Sequence, residues 1–185
     1  MVAFFTLFAF PEKRMYRAID FGNYLSLMIL DTGHTCPIQG LQTQLLQESL
    51  AARELVPYKM AAYHVGAFPS FYSYKAAAPE LLRKEWVPVF EKYQINFAFE
   101  HHNHAYKRTH PIKEEKIDAT GVVYLGDGAW GVVARKPQKK LWYIAKSEQS
   151  NCFCLVTLEK EKGKVESFNN KGKIIDTVST FPKKH

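Results

Sequence analysis

Four histidines fall within one short stretch of this 185-residue chain, Glu100-His-His-Asn-His-Ala-Tyr-Lys-Arg-Thr-His110. Neutral imidazole binds zinc, iron and similar ions readily, so such a cluster points first to a metal. His102 and His104 are two apart and would face the same way in extended backbone. Both follow an apolar run that reads as a strand, and ligand sites in α/β sheets collect at strand ends. His64 follows another such run. The three could therefore converge at one sheet edge. A solvent-exposed polar loop would have the same composition, and spacing alone does not separate the two readings. His34, in Thr32-Gly-His-Thr35, stands apart; a turn or capping role fits it as well as a chemical one.

The elements around these residues must position them. Tyr16–Phe21 and Tyr24–Leu30 are apolar runs on either side of Gly22-Asn23, a turn signal for paired strands. Leu41, Leu45, Leu46, Leu50 and Leu55 recur near helical spacing and predict a helix over Gly40–Leu55, ended by Val56-Pro57. Tyr58–Tyr63 predicts a strand that stops at His64. Pro79 opens a second helix, with Leu82, Trp86, Val89, Phe90 and Tyr93 as its buried stripe and Pro88 dividing it. Ile95–Glu100 predicts the next strand. Beyond it, Gly121–Leu125, Leu141–Ala145, Cys152–Leu158, Lys164–Asn169 and Lys173–Val178 read as short strands with turns between them. The expected class is α/β (α+β) in one domain: strand and helix alternate over 1–128, and antiparallel strands fill 129–185.

Hydrophobic residues make up 46% of the chain and charged residues 23%, which excludes a disordered or fibrous protein. The net charge of +7 admits an anionic partner. The lysines are dispersed, and no basic run alternates with stacking aromatics. That disfavours nucleic acid and suits the steering of a phosphorylated substrate. Cys36, Cys152 and Cys154 are odd in number and form no CxxC pair, so neither a disulfide framework nor a redox motif is implied. The opening run MVAFFTLFAF precedes its basic residues, Lys13 and Arg14, which is the reverse of a signal peptide. It is also too short to span a membrane, and it reads as a buried strand or packed segment.

Together with their neighbours, the histidines resemble a known family. Ala62-Tyr-His-Val-Gly-Ala-Phe-Pro69 is similar to the fourth motif of the calcineurin-like metallophosphoesterases, in their purple-acid-phosphatase-like branch. Phe97-Ala-Phe-Glu-His-His-Asn-His-Ala-Tyr-Lys-Arg-Thr-His-Pro111 is similar to the fifth, a Gly-His-x-His pattern followed by Ala-Tyr and a basic pair. Leu30-Asp-Thr-Gly-His-Thr35 and Gly121-Val-Val-Tyr-Leu-Gly-Asp-Gly128 resemble further landmarks in the same order. The likeness runs from about Phe4 to at least Asp176. It implies a metallophosphoesterase α/β/β/α sandwich, of which this chain would be the C-terminal portion. It also implies that His64 and His102 ligate one metal ion and His104 the other, with iron paired with zinc, manganese or a second iron. A bridging water or hydroxide would attack phosphorus between the two cations. Tyr106 and His34 are then candidate substrate contacts. Arg108 is a weak candidate for a phosphate contact, and a surface ion pair fits it equally.

The sequence also departs from the family. His101 stands where the family has Gly or Asn, and Asn103 occupies the variable position. The first three family motifs, Asp-x-His, Gly-Asp-x-x-Asp and Gly-Asn-His-Glu/Asp, have no counterpart, and Asp20, Asp31 and Asp127 lie outside such patterns. Those motifs supply the carboxylate that bridges two cations and offsets their repulsion. The expectation is an acid-phosphatase-like phosphoester hydrolase whose dinuclear site is incomplete in this chain. Alone it would be weak or inactive. A missing N-terminal half, or another chain covering an open sheet, would complete it. The alternative is a metal- or partner-binding module that keeps the fold without catalysis. A basic nucleic-acid-binding domain comes third, and no membrane partner is expected.

Overall fold

The computed structural model describes residues 14–138 and 140–183. The apolar opening run lies outside them. Arg17–Phe21 (β1) and Leu25–Ile29 (β2) form the expected antiparallel hairpin, turning at Gly22 with a positive φ of 59°. Tyr58–Tyr63 (β3) and Phe97–Glu100 (β4) then run parallel to β2 and to each other. Helix Leu41–Ala51 (α1) connects β2 to β3, and Ala77–Glu85 (α2) and Val87–Lys92 (α3) connect β3 to β4. Pro88 sits in the first turn of α3 and divides the second helix as its ring requires. The first helix stops short of Leu55. Arg53 leaves the helical path to grip Asp20, Nε to Oδ1 at 2.7 Å and the terminal nitrogen to Oδ2 at 2.7 Å, and Leu55 is left exposed.

After β4 the chain makes a strand that periodicity does not predict, Tyr106–Thr109 (β5), and a small ribbon of Ile112–Lys113 (β6) and Lys116–Ile117 (β7). Val123–Asp127 (β8) returns to pair parallel with β4, and β5 lies antiparallel on its other side. Ile144–Glu148 (β9) closes the row, giving the order β1-β2-β3-β4-β8-β5-β9. Cys152–Leu158 (β10), Gly163–Asn169 (β11) and Ile174–Thr180 (β12) form a separate antiparallel sheet.

Alternation along the strands sorts side chains into two cores. On one face Met28, Ala61, Tyr63, Ala98 and Tyr124 meet Leu46, Leu50, Leu82, Trp86 and Phe90 of the helices. On the other face Met60, Phe97, Phe99, Val123 and Leu125 meet Val165, Cys154, Val156 and Leu158 of the three-stranded sheet. Each large side chain so buried contributes about 1.5–3 kcal/mol. The layers are therefore helices, mixed sheet and antiparallel sheet. Leu25 and Leu27 of β2 remain only partly buried on the second face. No helix among the described residues is long and apolar enough to cross a membrane.

Candidate metal centre

The parallel strands β3 and β4 end side by side, and a histidine follows each. The backbone locks the two ends together. Both His101 N–H, at 3.0 Å, and His102 N–H, at 2.9 Å, donate to the His64 carbonyl. The rings of His64 and His102 pack edge to face, with centroids 4.8 Å apart. His64 Nε2 lies 2.9 Å from His102 Nδ1. One of these nitrogens carries a proton when the pair hydrogen-bonds, and both present lone pairs when it does not. His34 adds a third ring, edge to face with His64 at 5.1 Å. Tyr72 stacks on the outer face of His102 at 4.6 Å, nearly parallel.

His104 sits on the same turn but does not alternate with His102 as in a strand. The segment after β4 is a turn, and His104 takes a left-handed φ of 52°. The cause is topological. The next strand, β5, lies beyond β8, so the chain must climb over the end of β8 to reach it. It passes directly over Gly128, where a Cβ would collide with the carbonyl of His101. No hydrogen bond or ring contact joins His104 to the histidine pair, although its charge bears on both.

The loops carrying the histidines are anchored from below by two buried charges. Glu100, the last residue of β4, and Lys107 of β5 form an ion pair with neither side chain exposed. The other oxygen of Glu100 accepts from Tyr63 Oη at 2.8 Å and Ala67 N–H at 2.7 Å. Lys107 Nζ also donates to the Phe68 carbonyl at 2.6 Å. Burial pushes the Lys107 ammonium below its usual range, and Glu100 opposes that. Gly66 leaves room for the carboxylate: a Cβ there would stand 2.7 Å from Glu100 Oε2. Sequence reasoning passed over this pair. A charged residue at the inner end of an apolar strand is a signal, but its partner cannot be read without the topology.

Alternation in β5 sends Tyr106 and Arg108 to the opposite face from Lys107. Tyr106 Oη donates to Asp176 Oδ2 at 2.7 Å, and Arg108 Nε to the same oxygen at 2.6 Å. Both side chains thus tie β5 to β12, and Arg108 takes up the ion-pair role that the sequence left open for it. The cation on the histidine side is Arg135. Its N–H donates to the His104 carbonyl at 2.7 Å, and its guanidinium hydrogen-bonds the Tyr72 hydroxyl. It also contributes to holding the His102 imidazole below its usual range, behind burial and the charge of His104. His64 is pushed down to about 4, first by burial and then by the neighbouring His102 and His34. Both rings are therefore neutral near pH 7, the form in which imidazole binds metals.

The Asp31 carboxylate is committed to its own loop. Asp31 accepts from the N–H groups of His34 at 2.9 Å, Thr35 at 2.7 Å and Cys36 at 3.0 Å. Burial raises its carboxyl, and these bonds outweigh burial to hold it below the usual range. Asp20 is engaged by Arg53. Among the described residues no group of three or more His, Cys, Asp and Glu side chains is arranged to hold a metal ion. Metal–nitrogen bonds of about 2.0–2.1 Å place neighbouring donors about 2.9–3.4 Å apart, depending on coordination geometry. The separation of 2.9 Å between His64 and His102 falls in that window. The donor set fits part of the shell of one cation and does not fit a pair.

Comparison of the backbone decides the fold. The structure superposes on a purple acid phosphatase, PPD1 from yellow lupin (Lupinus luteus) seeds, with a TM-score of 0.85 over 97% of this chain at 17% sequence identity. The chain has the purple acid phosphatase fold. It covers 35% of the length of the lupin protein. A second similar structure is GAP50, described as the anchor in the inner membrane complex of Plasmodium, with a TM-score of 0.69 and 12% identity over 91% of this chain and 54% of that one. No family model matches the sequence, and no curated protein matches it at a significant level. Within the purple acid phosphatase fold the described residues supply the mixed sheet, its helices and the antiparallel end. The fold expected from the histidine motifs is the one observed.

Proposed function

We propose that this chain supplies the histidine side of a metal-dependent phosphoester hydrolase site. The observation that carries the reading is the approach of His64 Nε2 to His102 Nδ1 at the ends of adjacent parallel strands. His64 and His102 would hold one cation through neutral nitrogens, and His104 on the same turn would serve a second only together with carboxylates that the described residues do not supply. Bound metal ions of this kind polarise a phosphate ester and lower the pKa of the attacking water. The chain's own groups do the rest. Tyr72 fixes the plane of His102 by stacking, and Arg135 brings a positive charge towards phosphate oxygens. The carboxylates that a metal pair needs come from outside the described residues, so a phosphorylated substrate is turned over weakly or not at all by this chain alone.

Equilibrium dialysis with zinc, manganese or iron tests the site, and a phosphate-ester assay with the same metals tests the incompleteness. Uptake of about one ion per chain, lost in His64→Ala and His102→Ala, with negligible turnover is the expected result. Ordinary turnover abolished by His102→Ala would sink the claim of incompleteness, and no uptake would sink the metal site.

A second reading is a module that keeps the fold and binds a partner without catalysis. Two observations favour it: the partly buried Leu25 and Leu27 on the sheet face, and the likeness in fold to a protein described as an anchor. Such a module can keep one ion, so uptake alone does not separate the two; phosphate-ester turnover gained when a carboxylate-bearing segment is supplied in trans supports the first, and none supports the second.

A further inference from the structure

The outer face of the three-stranded sheet is apolar at the end near the histidine turn. Phe153, Phe168 and Ile174 are cross-strand neighbours there, and the two phenylalanine rings stack 5.3 Å apart. Leu155 follows two residues along β10 on the same face. Phe153, Leu155 and Ile174 are all exposed. Trp130, 67% exposed, stands edge-on to Phe153 at 6.0 Å. The loop then turns at Gly131, with a φ of 75°, and holds out Val132 and Val133, the latter 86% exposed. This loop is pinned in place. The Asn151 side-chain amide donates to the Ala129 carbonyl and, at 2.7 Å, to the Val132 carbonyl. The Asn151 carbonyl accepts from the Asn170 N–H at 3.2 Å, which sets the turn between β11 and β12 beside the loop. A contiguous apolar patch held out in this way marks an interaction surface. The charges around it say of which kind. Segments 128–136, 149–155 and 168–175 meet here, and they carry Arg135, Lys136, Lys171 and Lys173 but no aspartate or glutamate. Lys136, Lys171 and Lys173 are exposed. Asp176, just beyond, is engaged by Tyr106 and Arg108, and Glu148 at the border does not outweigh the four cations.

We propose that the 130–133 loop, with the Phe153, Phe168 and Ile174 end of the sheet, docks peripherally on an anionic lipid surface. The apolar side chains enter the boundary between headgroups and acyl chains, where indole rings settle. The lysines meet the lipid charge. A protein partner fits less well, because protein interfaces are depleted in lysine. Docking of this kind needs no spanning helix, so it revises the expectation of no membrane partner, which looked only for a spanning segment. It does not depend on the phosphoesterase reading. The Arg135 N–H bond to the His104 carbonyl ties the same loop to the histidine turn, which would then lie beside the bilayer.

The test is flotation of the full chain with two kinds of vesicle, phosphatidylcholine alone and an equal mixture of phosphatidylcholine and phosphatidylserine. Binding to the mixed vesicles at about 0.1 M salt, weakened at about 1 M, is expected, with much less binding to phosphatidylcholine. Val133→Asp puts a charge at the exposed tip; it should leave the melting temperature unchanged and weaken binding about tenfold or more. Lys171→Gln together with Lys173→Gln should weaken it about thirtyfold, since each lysine at the surface is worth about fivefold. No binding to either vesicle, equal binding to both, or parent-like binding by either variant would overturn the proposal. So would a dimer in sedimentation that Val133→Asp dissociates, because the patch would then seat a second copy. Zinc uptake by the same chain is a separate measurement. Its failure would remove the phosphoesterase reading and leave the vesicle result standing.

Discussion

Glu100 and Lys107 form a fully buried ion pair that joins the strand before the histidine turn to the strand after it. Through its second oxygen Glu100 also holds Tyr63 and Ala67, the neighbours of His64. Removing one charge of such a pair leaves the other unpaired in a water-free space. Lys107→Met should therefore cost about 3–5 kcal/mol of stability, while Glu100→Gln combined with Lys107→Met should recover most of it. Urea denaturation of the three proteins checks this; a single variant as stable as the parent would contradict it.

In the proposed metal role, the depressed titration of His64 should set the pH range of binding. Its folded value of about 4 lies below the ordinary imidazole value of 6.5. The stability tied to this shift is therefore fully present above pH 6.5 and is lost as pH falls through about 4. Only the neutral ring is a ligand. Zinc affinity should thus change little through His64 between about pH 8 and pH 6 and fall steeply below about pH 5. Isothermal titration across that range is the measurement. A steep fall centred on the ordinary imidazole value would show that His64 is not shielded as described.

Arg108 and Tyr106 should matter for stability and not for the metal. Both hydrogen-bond Asp176. Burial raises the Asp176 carboxyl, and the bonds from Arg108 and Tyr106 outweigh it and hold the group below its usual range. Its folded pKa is the lower one, so the stability it contributes is present above the unfolded value of about 4 and is lost as pH falls through the folded value. Asp176→Asn should destabilise by about 1.5–3 kcal/mol, the worth of a charge-assisted bond, and leave zinc affinity within twofold or so. Thermal melts and dialysis on one sample decide it.

Gly128→Ala should fail for steric reasons alone, because the added methyl would meet the His101 carbonyl. A backbone atom cannot swing aside, so the cost belongs at the upper end of about 1–3 kcal/mol. The damage should be local. Amide exchange should speed up at His101 and His102, which donate to His64, before it does in β10–β12.

Much of this arrangement was legible in the sequence because it follows short-range patterns. Tyr58–Tyr63 and Cys152–Leu158 are strands with the expected ends, and Pro88 divides the helix where its ring demands. His64 and His102 follow the ends of adjacent strands, where apolar runs place them. The strand Tyr106–Thr109 was not legible, since three of its four side chains are polar or charged and its pairing partners lie far along the chain. The same gap hid the partners of Lys107 and Arg108. A charged side chain inside a sheet is intelligible only once the opposing residue is known, and both opposing residues come from topology. The turn at His104 was missed for that reason too: two-residue alternation holds within a strand, and the chain there is leaving one.

The interposition of β8 between β4 and β5 has a kinetic consequence. Lys107 and Arg108 cannot dock until β8, made later in the chain, has taken its place beside β4, and β9 must follow to flank β5 on its far side. Pairings of that kind close long loops before they gain contacts, which slows them. His64 and the end of β4 can meet early, through the sequential parallel pair. The turn that carries His104 is drawn taut only when β5 seats. The two halves of the histidine constellation are thus completed at different stages of folding, the second by a strand that arrives after the first is already in hand.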